Sequence, residues 1–126
     1  MLPVKRTGAL LTPTILTDVT PDMKVWTEEL FGPLVVVVRC RDFDHAVELA
    51  NNSKYGLQAG IFTKSLDFAL RAAREIEVGG VMVNDVPTFR IDPMPYGGVK
   101  MSGFGREGPR FAIEEMTEIR LVTFQM

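Results

Sequence analysis

Three short apolar runs, separated by two helical patterns, are the feature that most constrains the fold of this chain. The runs are residues 34–38, 59–63 and 81–83, and the first of them is β-branched after Leu34. A strand without polar alternation suits a position that is covered on both faces, as in parallel sheets. The strand–helix–strand–helix–strand order therefore predicts an α/β fold in which βαβ units build a parallel sheet.

The two helices between these runs have recognisable start and stop signals. Asp42 precedes one apolar stripe and Ser65 precedes another. The stripes consist of Phe43, Ala46, Val47 and Ala50, and of Leu66, Ala69, Leu70, Ala73 and Ile76. Because Asp and Ser side chains accept hydrogen bonds from the amides of a first helical turn, we predict N-caps at both positions. Gly79 and Gly80 are predicted to stop the second helix in the left-handed conformation.

Four further segments flank this pattern. Residues 13–17 predict a short strand, and residues 85–106 predict a long loop because they hold many glycines and little apolar periodicity. Pro109 stands where the first turn of a helix would begin. Residues 119–124 are β-branched and predict a final strand at the C-terminus.

Composition excludes several classes of function. The net charge is −2, so there is no basic surface of the kind that neutralises phosphates, and no nucleic-acid partner is expected. No apolar run approaches the roughly 20 residues that cross a bilayer, and residues 1–6 lack an apolar signal core. The single cysteine, Cys40, is consistent with a reducing compartment. We therefore expect a cytoplasmic protein with no membrane partner.

Two motifs carry a resemblance to a known family. Residues 27–33 read Thr-Glu-Glu-Leu-Phe-Gly-Pro, and residues 94–107 read Met-Pro-Tyr-Gly-Gly-Val-Lys-Met-Ser-Gly-Phe-Gly-Arg-Glu. Together they resemble the C-terminal part of the catalytic region of NAD(P)-dependent aldehyde dehydrogenases, followed by that family's oligomerisation tail. The resemblance extends over about residues 8–124. It implies that residues 1–117 form a partial catalytic domain, its C-terminal half, and that residues 118–126 form an oligomerisation strand.

Glu29 and Phe31 are the candidate cofactor-binding residues. A carboxylate can accept hydrogen bonds from both hydroxyls of a ribose, and an aromatic ring two residues later can pack against a nicotinamide. The resembled family uses the second Glu and the Phe of this motif in that way, which implies contacts from Glu29 and Phe31 to NAD or NADP. The alternative is that Glu28 and Glu29 are solvated and residues 31–33 only turn the chain into a strand.

Arg90 and Tyr96 are the candidate substrate-binding residues. They follow the strand at residues 81–83, and ligands of parallel sheets bind outside the carboxyl ends of the strands. Phe-Arg-x-Asp before Met-Pro-aromatic-Gly-Gly resembles the branch that acts on small oxygenated or anionic aldehydes, such as lactaldehyde or glyceraldehyde 3-phosphate. A guanidinium suits carboxylate or phosphate recognition. The alternative is a surface ion pair between Arg90 and Asp92.

Four other residues are of types that often act in catalysis, but we interpret each of them as non-catalytic. Cys40 is interpreted as a structural residue in a strand core, and His45 as a residue of a first helical turn without metal-ligand neighbours. Lys100 lies between two glycine groups in the wrong order for a phosphate loop, so those glycines are predicted to allow close backbone approach. Glu107 matches a family glutamate linked to proton relay, but a structural role is favoured.

The family's cysteine nucleophile, its glutamate base and its dinucleotide-binding domain have no counterpart in these 126 residues. The resemblance therefore implies a fragment of an enzyme that oxidises an aldehyde to a carboxylate with NAD(P)⁺, and we expect the isolated chain to be inactive. It also implies a homo-oligomer built through the C-terminal strand, with Glu118 at the subunit contact. A non-catalytic oligomerisation or interaction module is the alternative, and a related acyl-reducing enzyme is a third possibility.

Overall fold

A computed structural model describes residues 6–126 of the chain, which divide into two compact units. The first unit extends to Leu49 and the second begins at Ala50. None of the helices among residues 6–126 has the length and hydropathy of a membrane-spanning segment. The prediction of no apolar signal core concerned residues 1–6, of which residues 1–5 lie outside the described part of the chain.

The first unit holds two pairs of strands. Its elements are β1 (Arg6–Thr7), β2 (Leu10–Leu11), β3 (Thr14–Leu16), α1 (Lys24–Thr27), β4 (Leu34–Val36) and most of α2 (Phe43–Asn51). The strands β1 and β2 form an antiparallel pair, and Gly8 between them has a φ of +62°. The strands β3 and β4 pair in parallel. The predicted strands at residues 13–17 and 34–38 are therefore present, each shorter than expected.

The prediction that the strand at residues 34–38 is covered on both faces is wrong. Ile15 and Val35 are paired neighbours on one face of β3 and β4, and their exposed fractions are 67% and 52%. Because successive side chains of a strand point to opposite faces, Leu34 and Val36 lie on the other face, where both are half-buried. An apolar face of this parallel pair is thus left open to solvent.

Both predicted N-caps are confirmed. The amide of His45 donates to Asp42 Oδ1 at 2.8 Å, one turn into α2. The amide of Phe68 donates to Ser65 Oγ at 3.3 Å, at the start of α3 (Leu66–Glu75) in the second unit. Local polar chemistry sets where both helices begin.

The second unit contains the predicted βαβ arrangement. Its further elements are β5 (Tyr55–Gly56), β6 (Gln58–Ile61), β7 (Gly80–Val83), β8 (Val99–Lys100) and α4 (Pro109–Glu115). The strands β6 and β7 pair in parallel, and α3, which connects them, contacts β7. The α/β class with parallel strands is confirmed. However, the parallel strands of residues 6–126 form two separate pairs, one in each unit, and not a continuous sheet.

The end of α3 differs from the prediction. The helix ends at Glu75, Ile76 is extended, and neither Gly79 nor Gly80 has a positive φ. A side chain replaces the expected glycine cap: Asn51 Nδ2 donates to the Glu75 carbonyl at 2.7 Å, and Asn51 Oδ1 accepts from the Glu77 amide at 2.8 Å. Because this amide satisfies the helix end, no left-handed residue is needed there.

The buried face of α3 is also narrower than predicted. Ala72 is fully buried and Ala69 and Ile76 are half-buried, whereas Leu66 and Leu70 are exposed. The expectation that Leu66, Leu70 and Ala73 face inward is therefore wrong. A two-stranded sheet offers too little width to cover a whole apolar stripe of a helix.

The C-terminal third contains one element that was missed and lacks one that was expected. Within the predicted loop at residues 85–106, β8 pairs antiparallel with β5. The helix α4 begins with Pro109 in its first turn, as predicted. Residues 118–126, all described, form neither helix nor strand, so the expected final strand is absent from this single chain. A strand requires a hydrogen-bonded neighbour, and pairing with another chain stays a prediction.

Candidate functional site

The segment with Glu29 and Phe31 lies between α1 and β4 in the first unit. The amide of Glu28 donates to the Lys24 carbonyl at 2.8 Å, and the Pro33 carbonyl accepts from the Thr14 amide at 2.9 Å. The backbone is therefore tied at both ends. Between these ties Glu29 is exposed, and Phe31 is 94% exposed. An anchored backbone thus presents both predicted cofactor-binding side chains to solvent.

Arg90, Tyr96 and Glu107, here called the Arg90 cluster, lie together in the second unit. Arg90 Nη2 donates to Glu107 Oε2 at 2.9 Å, and the guanidinium carbon lies 4.4 Å from the centre of the Tyr96 ring. Tyr96 and Glu107 are joined through their backbones: each amide donates to the other residue's carbonyl, at 3.1 and 2.6 Å. The structure thus brings together the two predicted substrate residues and Glu107, for which a structural role was favoured.

The arginine of this cluster retains donors for a further ligand. A guanidinium has five N–H donors, and among the described contacts Arg90 uses one of them, towards Glu107. Its side chain is 42% exposed and that of Glu107 is 64% exposed. The ion pair that the structure forms is with Glu107, whereas the sequence alternative paired Arg90 with Asp92. The remaining N–H groups can bind a carboxylate, sulfonate or phosphate.

An open depression of about 480 Å³ lies at the carboxyl ends of β6 and β7, where the sequence placed substrate contacts. Phe62, Thr63, Lys64 and Asn84 line it. Asn84 has a φ of +59°, its amide donates to the Ile61 carbonyl at 2.6 Å, and its Oδ1 accepts from the Thr63 amide at 2.8 Å. Asn84 therefore joins the ends of the two strands and turns the chain towards residues 85–96.

The chain after Asn84 passes very close to β6. A Cβ atom at Gly60 would lie 2.6 Å from the Asp85 carbonyl oxygen and 3.2 Å from Pro87 Cδ. Because backbone cannot approach a side chain so closely, the path of the chain at residues 85–87 depends on glycine at position 60.

Gly97 and Gly98 allow close approach of other segments, as predicted, whereas Gly103 has open space around it and a φ of +114°. A Cβ atom at Gly97 would lie 2.6 Å from the Gly105 carbonyl oxygen. Lys100 Nζ donates to the carbonyls of Asn51 and Ser53 at 3.0 and 3.3 Å, and forms an ion pair with Glu77 Oε2 at 2.7 Å. The ammonium thus holds the end of α2 to β8, which explains its place between the two glycine groups.

Cys40 and His45 differ in how well the sequence described them. Cys40 is exposed and β4 ends at Val36, so its assignment to a strand core is wrong. His45 occupies the first turn of α2, as predicted, and its Nδ1 accepts from the Arg41 amide at 3.2 Å. Residues 6–126 contain no group of three or more His, Cys, Asp or Glu side chains placed to hold a metal ion.

Comparison with known proteins identifies the family. Residues 2–122 match the aldehyde dehydrogenase family. The chain belongs to that family. The resemblance inferred from the two motifs is therefore confirmed.

Individual aldehyde dehydrogenases give the same assignment. The chain is 56% identical over 122 residues to 3-sulfolactaldehyde dehydrogenase of Priestia aryabhattai, covering 97% of this chain and 26% of that protein. The crystal structure of aldehyde dehydrogenase 21 from Physcomitrella patens, in complex with the reaction product succinate, matches with a TM-score of 0.87 and 47% identity, over 90% of this chain and 24% of that one.

A third relative is glyceraldehyde-3-phosphate dehydrogenase from Methanocaldococcus jannaschii, whose crystal structure is complexed with NADP. It matches with a TM-score of 0.84 and 43% identity, over 92% of this chain and 25% of that one. The chain therefore spans about a quarter of the length of these aldehyde dehydrogenases. The branch indicated by the sequence, which includes enzymes for lactaldehyde and glyceraldehyde 3-phosphate, agrees with the relatives found.

Two features of the site were missed at the sequence level. The ion pair between Arg90 and Glu107 joins residues 17 positions apart, across an irregular stretch whose course no periodicity reveals. Lys64 lines the depression at the strand ends but carries no motif of its own. The position of Lys64 directly after the predicted strand at residues 59–63 was the signal that could have drawn attention to it.

Proposed function

We propose that this segment supplies the nicotinamide-ribose contact and one wall of the substrate site in an NAD(P)-dependent aldehyde dehydrogenase, and that the substrate is a small aldehyde with an anionic group. Family membership supports the reaction, the oxidation of an aldehyde to a carboxylate. The observation that carries the substrate class is the Arg90 cluster, in which a guanidinium is held on two sides and keeps free N–H donors.

Glu29 and Phe31 are the residues proposed to hold NAD or NADP. Both side chains are exposed on a backbone anchored at each end, so they are accessible to a large ligand. The carboxylate of Glu29 would accept hydrogen bonds from the nicotinamide ribose, and the Phe31 ring would pack against the nicotinamide. When bound, the cofactor supplies the acceptor for the hydride that leaves the aldehyde carbon.

Arg90 is proposed to select the substrate, with Tyr96 beside it on the same wall. A permanent positive charge that is only partly solvated favours a carboxylate, sulfonate or phosphate on the aldehyde. The relatives agree with this class: one is named for 3-sulfolactaldehyde, one for glyceraldehyde 3-phosphate, and one was crystallised with succinate.

The test of this proposal replaces Arg90 in a full-length aldehyde dehydrogenase that carries this segment. We expect Arg90→Leu to lower kcat/KM for succinic semialdehyde by about ten- to a hundredfold, the scale of a lost charged hydrogen bond. Neutral butyraldehyde, of the same chain length, should be affected far less. Arg110→Leu is the matched control, since Arg110 is exposed and pairs with Glu114 within α4. Equal losses for both aldehydes would instead indicate a structural role for Arg90.

The segment by itself is proposed to lack activity. The family's cysteine nucleophile and glutamate base have no counterpart in the 126 residues, and removing one member of a cooperating catalytic set already abolishes most of the rate. We expect no NAD(P)H formation from short aldehydes with the 126-residue chain. Turnover that disappears in Cys40→Ser would contradict this.

The second part of the proposal is that the chain assembles through its C-terminal residues. The same assembly would be the function of the chain if it is a non-catalytic oligomerisation module, which is the alternative. Ile119, Leu121 and Phe124 are exposed in a segment with no strand partner of its own. A chain end with unpaired backbone groups and apolar side chains can pair with a second copy as a strand, which would place Glu118 at the contact. Light scattering on the full chain and on a version that ends at Thr117 tests this: loss of oligomers on truncation supports it, and a monomeric full chain excludes it.

A further inference from the structure

We propose that Glu107 is the positioning residue of Arg90: its carboxylate fixes the guanidinium so that the remaining N–H edge meets the anionic group of the substrate. This inference rests on the proposed function, since it assigns a role to Glu107 within the same substrate wall. It differs from both roles considered from the sequence, which were a proton relay and a purely structural contact.

The first observation is that Arg90 lies outside any helix or strand. Turn hydrogen bonds, such as that from the Phe89 amide to the Val86 carbonyl at 3.1 Å, hold the backbone beside it but do not restrain its side chain. Residues 84–95 contain no helix or strand among the described residues, and the Arg90 side chain has four rotatable bonds. An unrestrained arginine in such a loop would pay a large entropic cost when it binds a ligand in one orientation. Something outside the loop has to hold the guanidinium if it is to act as a selective anchor.

The second observation is that Glu107 and Tyr96 contact the Arg90 guanidinium from two directions. The carboxylate contacts one edge at 2.9 Å, and the ring lies against the guanidinium carbon at 4.4 Å. The reciprocal backbone hydrogen bonds between Tyr96 and Glu107 link these two groups into one unit. Edge and face contacts that move together define an orientation, which a single exposed ion pair does not.

The third step is to weigh the opposite effect, in which Glu107 competes with the substrate anion for Arg90. The two side chains are 42% and 64% exposed, so solvent and salt screen the repulsion between the Glu107 carboxylate and a second anion. A guanidinium can also bind two acceptors on different edges at once, because its donors form a planar fork. Orientation therefore outweighs competition at this site.

The experiment compares Glu107→Ala, Glu107→Gln, Arg90→Leu and the double variant in a full-length enzyme that carries this segment. We expect Glu107→Ala to raise KM for succinic semialdehyde by about tenfold, because it releases the guanidinium that must be ordered on binding. The change in kcat, and any change for butyraldehyde, should be much smaller. Glu107→Gln keeps an acceptor oxygen and should lie between the wild type and Glu107→Ala. In the Arg90→Leu background, Glu107→Ala should have no further effect on KM for the anion.

Three outcomes would overturn the inference. A lower KM for succinic semialdehyde in Glu107→Ala would make Glu107 a competitor of the substrate. An equal fall of kcat for both aldehydes would place Glu107 in a step common to all substrates, such as proton transfer. The same KM effect in the Arg90→Leu background would show that Glu107 does not act through Arg90.

Failure of the proposed function is distinguishable from failure of this inference. If Arg90→Leu leaves the discrimination between the two aldehydes intact, the proposed substrate class is wrong, and the inference falls with it. If Arg90→Leu abolishes that discrimination and Glu107→Ala leaves it intact, only the inference is wrong.

The order parameter of the Arg90 Nε–H group, measured by NMR, gives a readout that needs no turnover. This order parameter should fall in Glu107→Ala and stay unchanged in the Glu114→Ala control.

Discussion

The two candidate site regions are held in place in different ways. The segment with Glu29 and Phe31 is anchored through its backbone, and both side chains extend into solvent. In the Arg90 cluster the side chains themselves contact each other, through an ion pair and a ring contact. In the first region the backbone is fixed, and the two exposed side chains are those proposed to contact NAD or NADP. The second is already organised within this segment, so it can be probed by substitutions inside the 126 residues.

The largest effect is expected on hydride transfer, when Glu29 of the first region is replaced. In a full-length enzyme, Glu29→Gln should slow hydride transfer by about a hundredfold, because a small misplacement of the nicotinamide carbon has an effect of that size. Aldehyde capture should change less. Single-turnover measurement of NAD(P)H formation checks this, with Glu28→Gln as the control for a neighbouring exposed carboxylate. Unchanged hydride transfer in Glu29→Gln would remove this residue from the cofactor site.

A smaller effect is expected from the internal ties of the second unit. Lys100→Met removes the donor to the Asn51 and Ser53 carbonyls and leaves Glu77 without its ion pair. We expect a local loss of about 0.5–1.5 kcal/mol, the scale of hydrogen bonds and ion pairs whose partners stay accessible to water. Faster hydrogen exchange of the Met101 amide, which donates to Lys54 O at 2.9 Å, reports it. Exposed Lys64 provides the matched variant, Lys64→Met, and the same change there would argue against a specific role of Lys100.

The smallest effect should come from Phe31 in the isolated chain. A side chain that is 94% exposed contributes little to folding, so Phe31→Ala should change the free energy of unfolding by less than about 0.5 kcal/mol. Urea denaturation of both chains measures this. A clear destabilisation would mean that the ring packs against the fold, and the contrast between the two regions would then disappear.

Features of the fold that depend on neighbouring residues could be predicted from the sequence. Asp42 and Ser65 cap their helices, Pro109 opens α4, and the βαβ unit from β6 to β7 is present. The caps and the helix start depend on contacts within a few residues. The pairing of β6 with β7 joins strands on either side of α3, and it was predictable because the order strand–helix–strand favours that unit. The two motifs likewise identified the family, because they combine residue types whose spacing is unusual by chance.

Side-chain contacts between residues far apart in the sequence could not be predicted. The cap supplied to α3 by Asn51 comes from 24 residues away, and the Arg90 partner from 17 residues away. The predictions of burial were wrong for a related reason. Cys40 and Leu66 are residue types that favour buried positions, but residues 6–126 do not cover them. Apolar patterning indicates which side chains favour burial and cannot supply the surface that buries them.

The open face of β3 and β4 has a practical consequence for anyone who produces this segment alone. A pair of strands has two edges with unpaired backbone groups. Here the neighbouring β-branched residues Ile15 and Val35 also expose an apolar surface on one face of the pair. Nascent or concentrated material with such a surface tends to enter inclusion bodies before it can be purified. A lysine at position 35 would place a charge on this face, so Val35→Lys should lower the tendency of the segment to aggregate at the concentrations that NMR requires.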